Sequence, residues 1–174
     1  MKLVLDKCVV RSWKRSDAPS LAVHANNHKI WINLRDAFPF PYTKSDARKF
    51  IKMARSMKPE TYFAIEVDGE AVGAIGFSPH QDVERVSAEI GYWLSEQYWG
   101  RGITTEALKA LTQYAITGHN LTRIYAVPFE WNSASFRVLE KAGYRLECRM
   151  RKSAIKEGKI VNQLQYAYVV GDDS

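Results

Sequence analysis

Between Glu89 and Ala107 the chain reads EIGYWLSEQYWGRGITTEA, and this order limits what the rest can fold into. Glu89 to Leu94 is an aromatic and β-branched run with strand character, Gly100 and Gly102 punctuate a polar turn, and apolar residues then recur at 103, 107, 108, 111, 114 and 115. That stripe predicts a helix over 103–116 with one buried face and Gly118 at its stop. Leu121 to Phe129 reads as a new strand, so strand, helix and strand make a crossover, which requires parallel pairing and a right-handed connection. Ligands of such sheets sit beyond the carboxyl ends of the strands, which is where the glycine turn falls.

The turn has a chemical use. The first turn of a helix carries backbone N–H groups with no partner inside the helix, and its dipole end is worth roughly half a positive charge, so it suits a phosphate. Gly100 and Gly102 let a diphosphate approach the main chain where a Cβ would obstruct it, and Arg101 between them adds a positive charge.

This segment resembles the signature motif of the GCN5-related N-acetyltransferase (GNAT) superfamily, and its wording YWGRGITTEA is similar to the branch of ribosomal-protein N-terminal acetyltransferases and spermidine acetyltransferases. The family pattern, Gln or Arg, two residues, Gly, one residue, then Gly or Ala, fits literally at Gln97, Gly100 and Gly102. The register preferred here sets Trp99, Gly102 and Thr104 on it, departing at both outer positions while keeping the last small residue where the helix begins to donate. A second block, Asn132-Ser-Ala-Ser135-Phe-Arg-Val-Leu139-Glu-Lys-Ala-Gly143-Tyr144, resembles the superfamily's later motif, an Asn opening a helix that ends in Gly and an aromatic.

The resemblance implies an α/β (α+β) fold: a mixed, mostly antiparallel sheet with a central splayed parallel strand pair and flanking helices, in a single domain over 1–174. It implies acetyl-CoA as co-substrate and no metal. The pyrophosphate would lie on Trp99, Gly100, Arg101, Gly102, Ile103 and Thr104, and Asn132 would contact the cofactor arm. A backbone N–H near Trp93 or Leu94 would donate to the thioester oxygen, the arm pairing there like an added strand. In the family the region matching Ile30 to Tyr42 forms one wall of the acceptor site, which points to Trp31, Phe38 and Tyr42, although packing suffices to explain rings of this kind.

Acetyl transfer from a thioester to an amine needs a free lone pair, a donor to the carbonyl oxygen and a proton for the thiolate, but no covalent nucleophile. Glu89 is the side chain best placed in the sequence to act as base, with a cross-strand ion pair as its other reading. For the acid, many relatives use a tyrosine at the position held here by Leu139, which cannot serve; the similar branch has a serine that matches Ser135. The ribosomal branch also has a glutamate after the last helix, where this chain has Ala154. Glu89 and Ser135 are therefore the expected proton handlers. The resemblance implies a primary amine as acceptor, expected to be a protein or peptide N-terminus, or alternatively a polyamine or other small amine. An acyl-CoA-binding module without turnover is the competing class.

At 174 residues and 46% hydrophobic, one globular domain with a substantial core is expected. A net charge of +6 favours anionic partners, yet the basic residues are dispersed, which argues against a nucleic-acid face. Cys8 and Cys148, with no secretory leader and no apolar run near the ~18 residues of a membrane span, predict free thiols in a soluble cytoplasmic protein. His24, His28, His80 and His119 show no metal or triad spacing and read as surface or helix-end residues. A homodimer is left open.

Elsewhere, Leu3 to Trp13 reads as a strand or a short hairpin around Asp6-Lys7, and a helix from a Ser16 cap runs to about Asn27. Ile30 to Tyr42 reads as a short helix and an ordered loop, and Thr43 with Asp46 as a capping box for a helix over 44–57. Strands Tyr62–Val67 and Ala71–Phe77 meet at Asp68-Gly69, and a third covers Val86–Leu94. A helix over Asn132–Ala142 precedes a last hairpin, Tyr144–Ile155 with Ile160–Val170, and a loose tail from Gly171 to Ser174.

Overall fold

The computed structural model describes residues 1–172, so the expected loose tail lies outside the described residues at Asp173 and Ser174. These residues fall into two compact units, Met1–Gly76 with Tyr92–Ala107, and Phe77–Gly91 with 108–172. The class is mixed α/β, mostly antiparallel with one parallel strand pair and flanking helices.

In the first unit β1 (Lys2–Val4) and β2 (Val9–Arg11) form a hairpin, with Leu3 opposite Val10. β2 pairs antiparallel with β3 (Tyr62–Val67), and β3 with the start of β4 (Glu70–Pro79). Asp68 and Gly69 join β3 to β4 at φ 50° and 84°, the two left-handed residues a tight hairpin turn matching the strand twist needs. Against these strands pack α1 (Ala18–Ala25) and α3 (Lys44–Ser56), which bury Leu21, Ala47, Ile51 and Ala54 on Trp13 and Ala64. α3 begins as the capping box predicts: Thr43 Oγ1 accepts from Asp46 N–H, and the Asp46 carboxylate accepts from Thr43 N–H.

The start of α1 differs from expectation. Ser16 lies inside a 3-10 turn, Arg15–Asp17, and Asp17 holds the N-cap position of α1 without a side-chain cap bond, its carboxylate turned back to accept from Lys14 N–H at 2.8 Å. Its carboxylate is fixed because Arg11, 4% exposed, donates to both oxygens at 2.8 and 2.9 Å while its Nε donates to Glu66. α1 also stops early, at Ala25, because Asn27 caps a separate short helix, α2 (His28–Trp31), accepting from Lys29 N–H.

β5 (Ser87–Leu94) enters the second unit's sheet parallel to β6 (Arg123–Ala126), with Ser87 opposite Arg123 and Glu89 opposite Tyr125. The ladder ends at that last pair while β5 runs on to Leu94. β6 pairs antiparallel with β8 (Lys159–Val169), and β8 with β7 (Arg145–Lys156). The crossover helix is α4 (Ile103–His119), and α5 (Ser133–Lys141) precedes β7. Gly118 lies within α4 rather than at its stop, which falls on Asn120 at φ 53°; the last turn keeps helical form to set His119 against Phe77, ring centroids 4.9 Å apart. β6 is shorter than the predicted strand because Pro128 has no N–H to give a ladder; Phe129 makes only an isolated bridge to Gln163.

Candidate functional site

The glycine turn is held by main-chain and indole contacts on both sides. Ser95 N–H donates to Val72 O at 2.9 Å as β5 ends, and residues 96–98 form a 3-10 turn. Trp99, which is half-exposed, turns its indole back so that Nε1 donates to Leu94 O at 2.7 Å. Gly100 and Gly102 then adopt φ 76° and 77°. A Cβ on Gly100 would meet open space, so only its backbone conformation demands glycine; a Cβ on Gly102 would also come 2.8 Å from Lys7 Nζ.

α4 starts at Ile103, and its first α-type bond runs from Glu106 N–H to Gly102 O at 3.2 Å. The amides just after Gly102 are therefore those an α-helix leaves without internal acceptors, beside the positive dipole end. Arg101 is tied back, its Nη2 donating to Gln97 O at 2.9 Å and its guanidinium 5.2 Å from the centre of the Tyr98 ring. The cradle that a Cβ at residue 102 would fill thus fits a diphosphate, with Trp99, Gly100, Arg101, Gly102, Ile103 and Thr104 contiguous around it.

Sequence reasoning missed two residues here. Glu106 reaches from the first turn of α4 to the β1–β2 turn, accepting from Asp6 N–H at 3.3 Å and Lys7 N–H at 2.9 Å. The ammonium of Lys7 is thereby delivered to Gly102 from far along the chain. Beneath it Cys8 is buried, and burial first, then the Glu106 charge, pushes its thiol up to about 11, so it is an inert core group.

The aromatic residues expected at the acceptor wall separate into two groups. Phe38 contacts Tyr42, centroids 4.7 Å apart, and Trp93 edge-on at 5.9 Å, which joins the loop before α3 to the end of β5. Tyr42 is 5% exposed and part of the core, and burial, then the Asp46 charge, raises its phenol far above the ordinary range. Trp31 instead stacks on Phe40 at 5.7 Å. Gly73 is a further residue the sequence did not flag: a Cβ there would come 2.5 Å from Trp93 O, so the close approach of β4 to the end of β5 requires glycine.

His24 lies in the last turn of α1, the helix-end placement that was one of the two expected, but it is buried there rather than exposed. It is 7% exposed, with Nδ1 2.9 Å from Ser95 Oγ and Nε2 3.2 Å from Glu70 Oε1, near enough for an ion pair but not aligned as a hydrogen bond. Beside it an open cavity of about 400 Å³ is bounded by Asn27, Ser95 and Glu96. This arrangement braces the start of the 3-10 turn.

The remaining predicted residues belong to the second unit. Glu89 is half-buried, in register with Tyr125, whose hydroxyl is 2.8 Å from His80 Nε2 and whose ring stacks on the imidazole. Asn132 caps α5, its Oδ1 accepting from Ser135 N–H at 3.2 Å, so the carboxamide NH2 is the group it can offer outward. Ser135 is half-buried in the first turn of that helix.

Among the described residues no helix is long and apolar enough to cross a membrane, and no group of three or more His, Cys, Asp or Glu is arranged to hold a metal. Residues 7–145 match the family model described as an acetyltransferase (GNAT) domain. The chain is 28% identical over 173 residues to an uncharacterized N-acetyltransferase, p20, of Bacillus licheniformis, covering 95% of this chain and 94% of that one. It is 27% identical over 164 residues to the ribosomal-protein-serine acetyltransferase of Escherichia coli K12, covering 86% and 88%. Among solved structures, a ribosomal L7/L12 alpha-N-protein acetyltransferase in complex with coenzyme A superposes with a TM-score of 0.84 at 23% identity, over 96% of each chain, which is a likeness of fold.

Proposed function

Because the chain belongs to the GNAT family of acetyl-CoA-dependent N-acetyltransferases, we propose that it moves the acetyl group of acetyl-CoA to the free α-amino group of a protein or peptide N-terminus, acting as one domain over residues 1–174. The observation that carries the reading is the left-handed Gly102 at the start of α4, a cradle of main-chain amides with a lysine beside it. The N-terminal acceptor is supported by similarity along 86% of the chain to a ribosomal-protein-serine acetyltransferase, against 61% for the spermidine N(1)-acetyltransferase of Escherichia coli K12, also 27% identical. A polyamine or other small amine is the second reading, favoured by that same relative.

When bound, the thioester supplies an activated acyl group. The amides after Gly102 and the carboxamide of Asn132 hold the cofactor, and a main-chain N–H near Trp93 or Leu94 donates to the carbonyl oxygen as charge builds there. The incoming amine forms the C–N bond as the C–S bond breaks. Glu89, directly or through one water, takes the proton the amine must lose, and the Ser135 hydroxyl, hydrogen-bonded to the departing sulfur, passes it a proton and regains one from water. Phe38 and Trp31 face the acceptor wall, and Tyr42, buried in the core, supports it from behind through its contact with Phe38.

The test is incubation with acetyl-CoA and panels of N-terminal peptides, polyamines and amino sugars, read as a mass gain of one acetyl group. Acetylated peptides support the reading. Acetylated polyamine alone transfers it to the second, and cofactor binding with no product anywhere overturns it. Glu89→Gln lowers kcat by about 100-fold or more if the carboxylate is the base; an unchanged kcat removes Glu89 from that role.

A further inference from the structure

We infer that Lys7, carried on the turn of the β1–β2 hairpin, is a ligand of the cofactor's diphosphate and completes the glycine cradle from outside the signature motif. The inference rests on the acetyl-CoA reading above and adds the residue that sets affinity at that site.

Three observations converge. Lys7 Nζ lies against Gly102, within 2.8 Å of where a Cβ would stand, at the one glycine of the turn whose open side is occupied by anything. The backbone that carries it is fixed: Glu106 accepts from the amides of Asp6 and Lys7, and Leu5 N–H donates to Cys8 O at 3.0 Å, closing the turn. The electrostatics are then unbalanced, because a helix start favours anions, yet here it faces an ammonium. Glu106 offsets part of that charge, but its oxygens are spent on two main-chain N–H groups, and the Lys7 ammonium is in no ion pair among the described residues. An anion between the ammonium and the amides of α4 satisfies both at once. The lysine stem is flexible and exposed, so the ammonium can rise from Gly102 and fold onto an arriving diphosphate as a charge-assisted partner.

The test is calorimetric binding of coenzyme A and of 3′-dephospho-coenzyme A to the full chain and to Lys7→Met and Lys7→Arg. Both ligands carry the diphosphate, and only one carries the 3′-phosphate. The expected result is a loss of roughly tenfold or more in affinity for both ligands in Lys7→Met, shrinking as salt is raised, with Lys7→Arg near the wild-type value. Equal affinity of Lys7→Met and wild type overturns the inference, and so does a loss confined to coenzyme A, which would move the lysine to the 3′-phosphate. A loss in Lys7→Met that Lys7→Arg does not restore also overturns it, as a defect of the hairpin. If the wild-type chain takes up neither ligand, the acetyl-CoA reading itself fails. Wild-type uptake with indifferent variants leaves that reading standing and removes Lys7 alone.

Discussion

Trp99 fastens the glycine turn to the strand that leads into it, its indole Nε1 donating to the carbonyl of Leu94 at 2.7 Å. The bond joins the end of β5 to the residue just before Gly100, so it sets where the cradle starts. Trp99→Phe keeps most of the ring and removes the donor. The expected outcome is a stability loss of about 1 kcal/mol in urea unfolding and a several-fold rise in the Kd for coenzyme A. Unchanged affinity would show that the turn keeps its place without the indole.

The two glycines of the turn should respond differently to alanine. Gly100→Ala meets open space, so its cost is the left-handed conformation alone, about 1 to 2 kcal/mol. Gly102→Ala bears the same strain and also displaces the Lys7 ammonium, so coenzyme A affinity should fall further than in Gly100→Ala at similar thermal stability. Parallel melting curves and binding isotherms decide it; equal affinities in the two variants contradict it.

The buried pair Arg11 and Asp17 predicts a large effect far from the glycine turn. Asp17→Asn leaves the guanidinium of Arg11, 4% exposed, with Glu66 as its remaining carboxylate, and weakens the acceptor that Lys14 N–H uses. Because Glu66 still compensates the guanidinium, the expected cost is that of the lost charge-assisted bonds, about 2 kcal/mol, which the shift in urea midpoint at constant m-value would read out. A midpoint within experimental scatter of wild type refutes it.

Alkaline pH gives a fourth prediction. The Cys8 thiol titrates near 11 in the fold, against an ordinary value of 9.0, because burial disfavours the thiolate. Its folded value is the higher one, so the native state holds the proton longer and the stabilisation is fully present below about 9. It is lost as pH rises toward 11, at about 1 kcal/mol per pH unit. Cys8→Ala should flatten that decline. In native protein at neutral pH, maleimide should label exposed Cys148 and spare Cys8; rapid labelling of both would contradict the buried placement.

Much of the frame was legible because its signals are local. Asp68-Gly69 fixes a hairpin through two adjacent residues, Thr43 and Asp46 close their box three positions apart, and Gly143 at φ 90° ends α5 where the sequence placed a stop. The strand, the left-handed glycines and the helix start could be read for the same reason, since they are contiguous. What escaped depends on long-range packing. Nothing near residue 7 indicates that it meets Gly102, nor near residue 24 that His24 lies buried against Ser95. Asp17 displaced Ser16 because a buried arginine holds its carboxylate, and Asn120 displaced Gly118 because His119 had a ring to cover. In each case a tertiary contact overrode a local preference of similar size.

Glu106 grips the β1–β2 turn through amide hydrogens, a group that every residue except proline possesses. Positions 6 and 7 can therefore change their side chains without unseating the turn. The docking of the hairpin and the charge it presents are separately adjustable, so selection could tune cofactor retention at residue 7 while the architecture beneath it stays fixed.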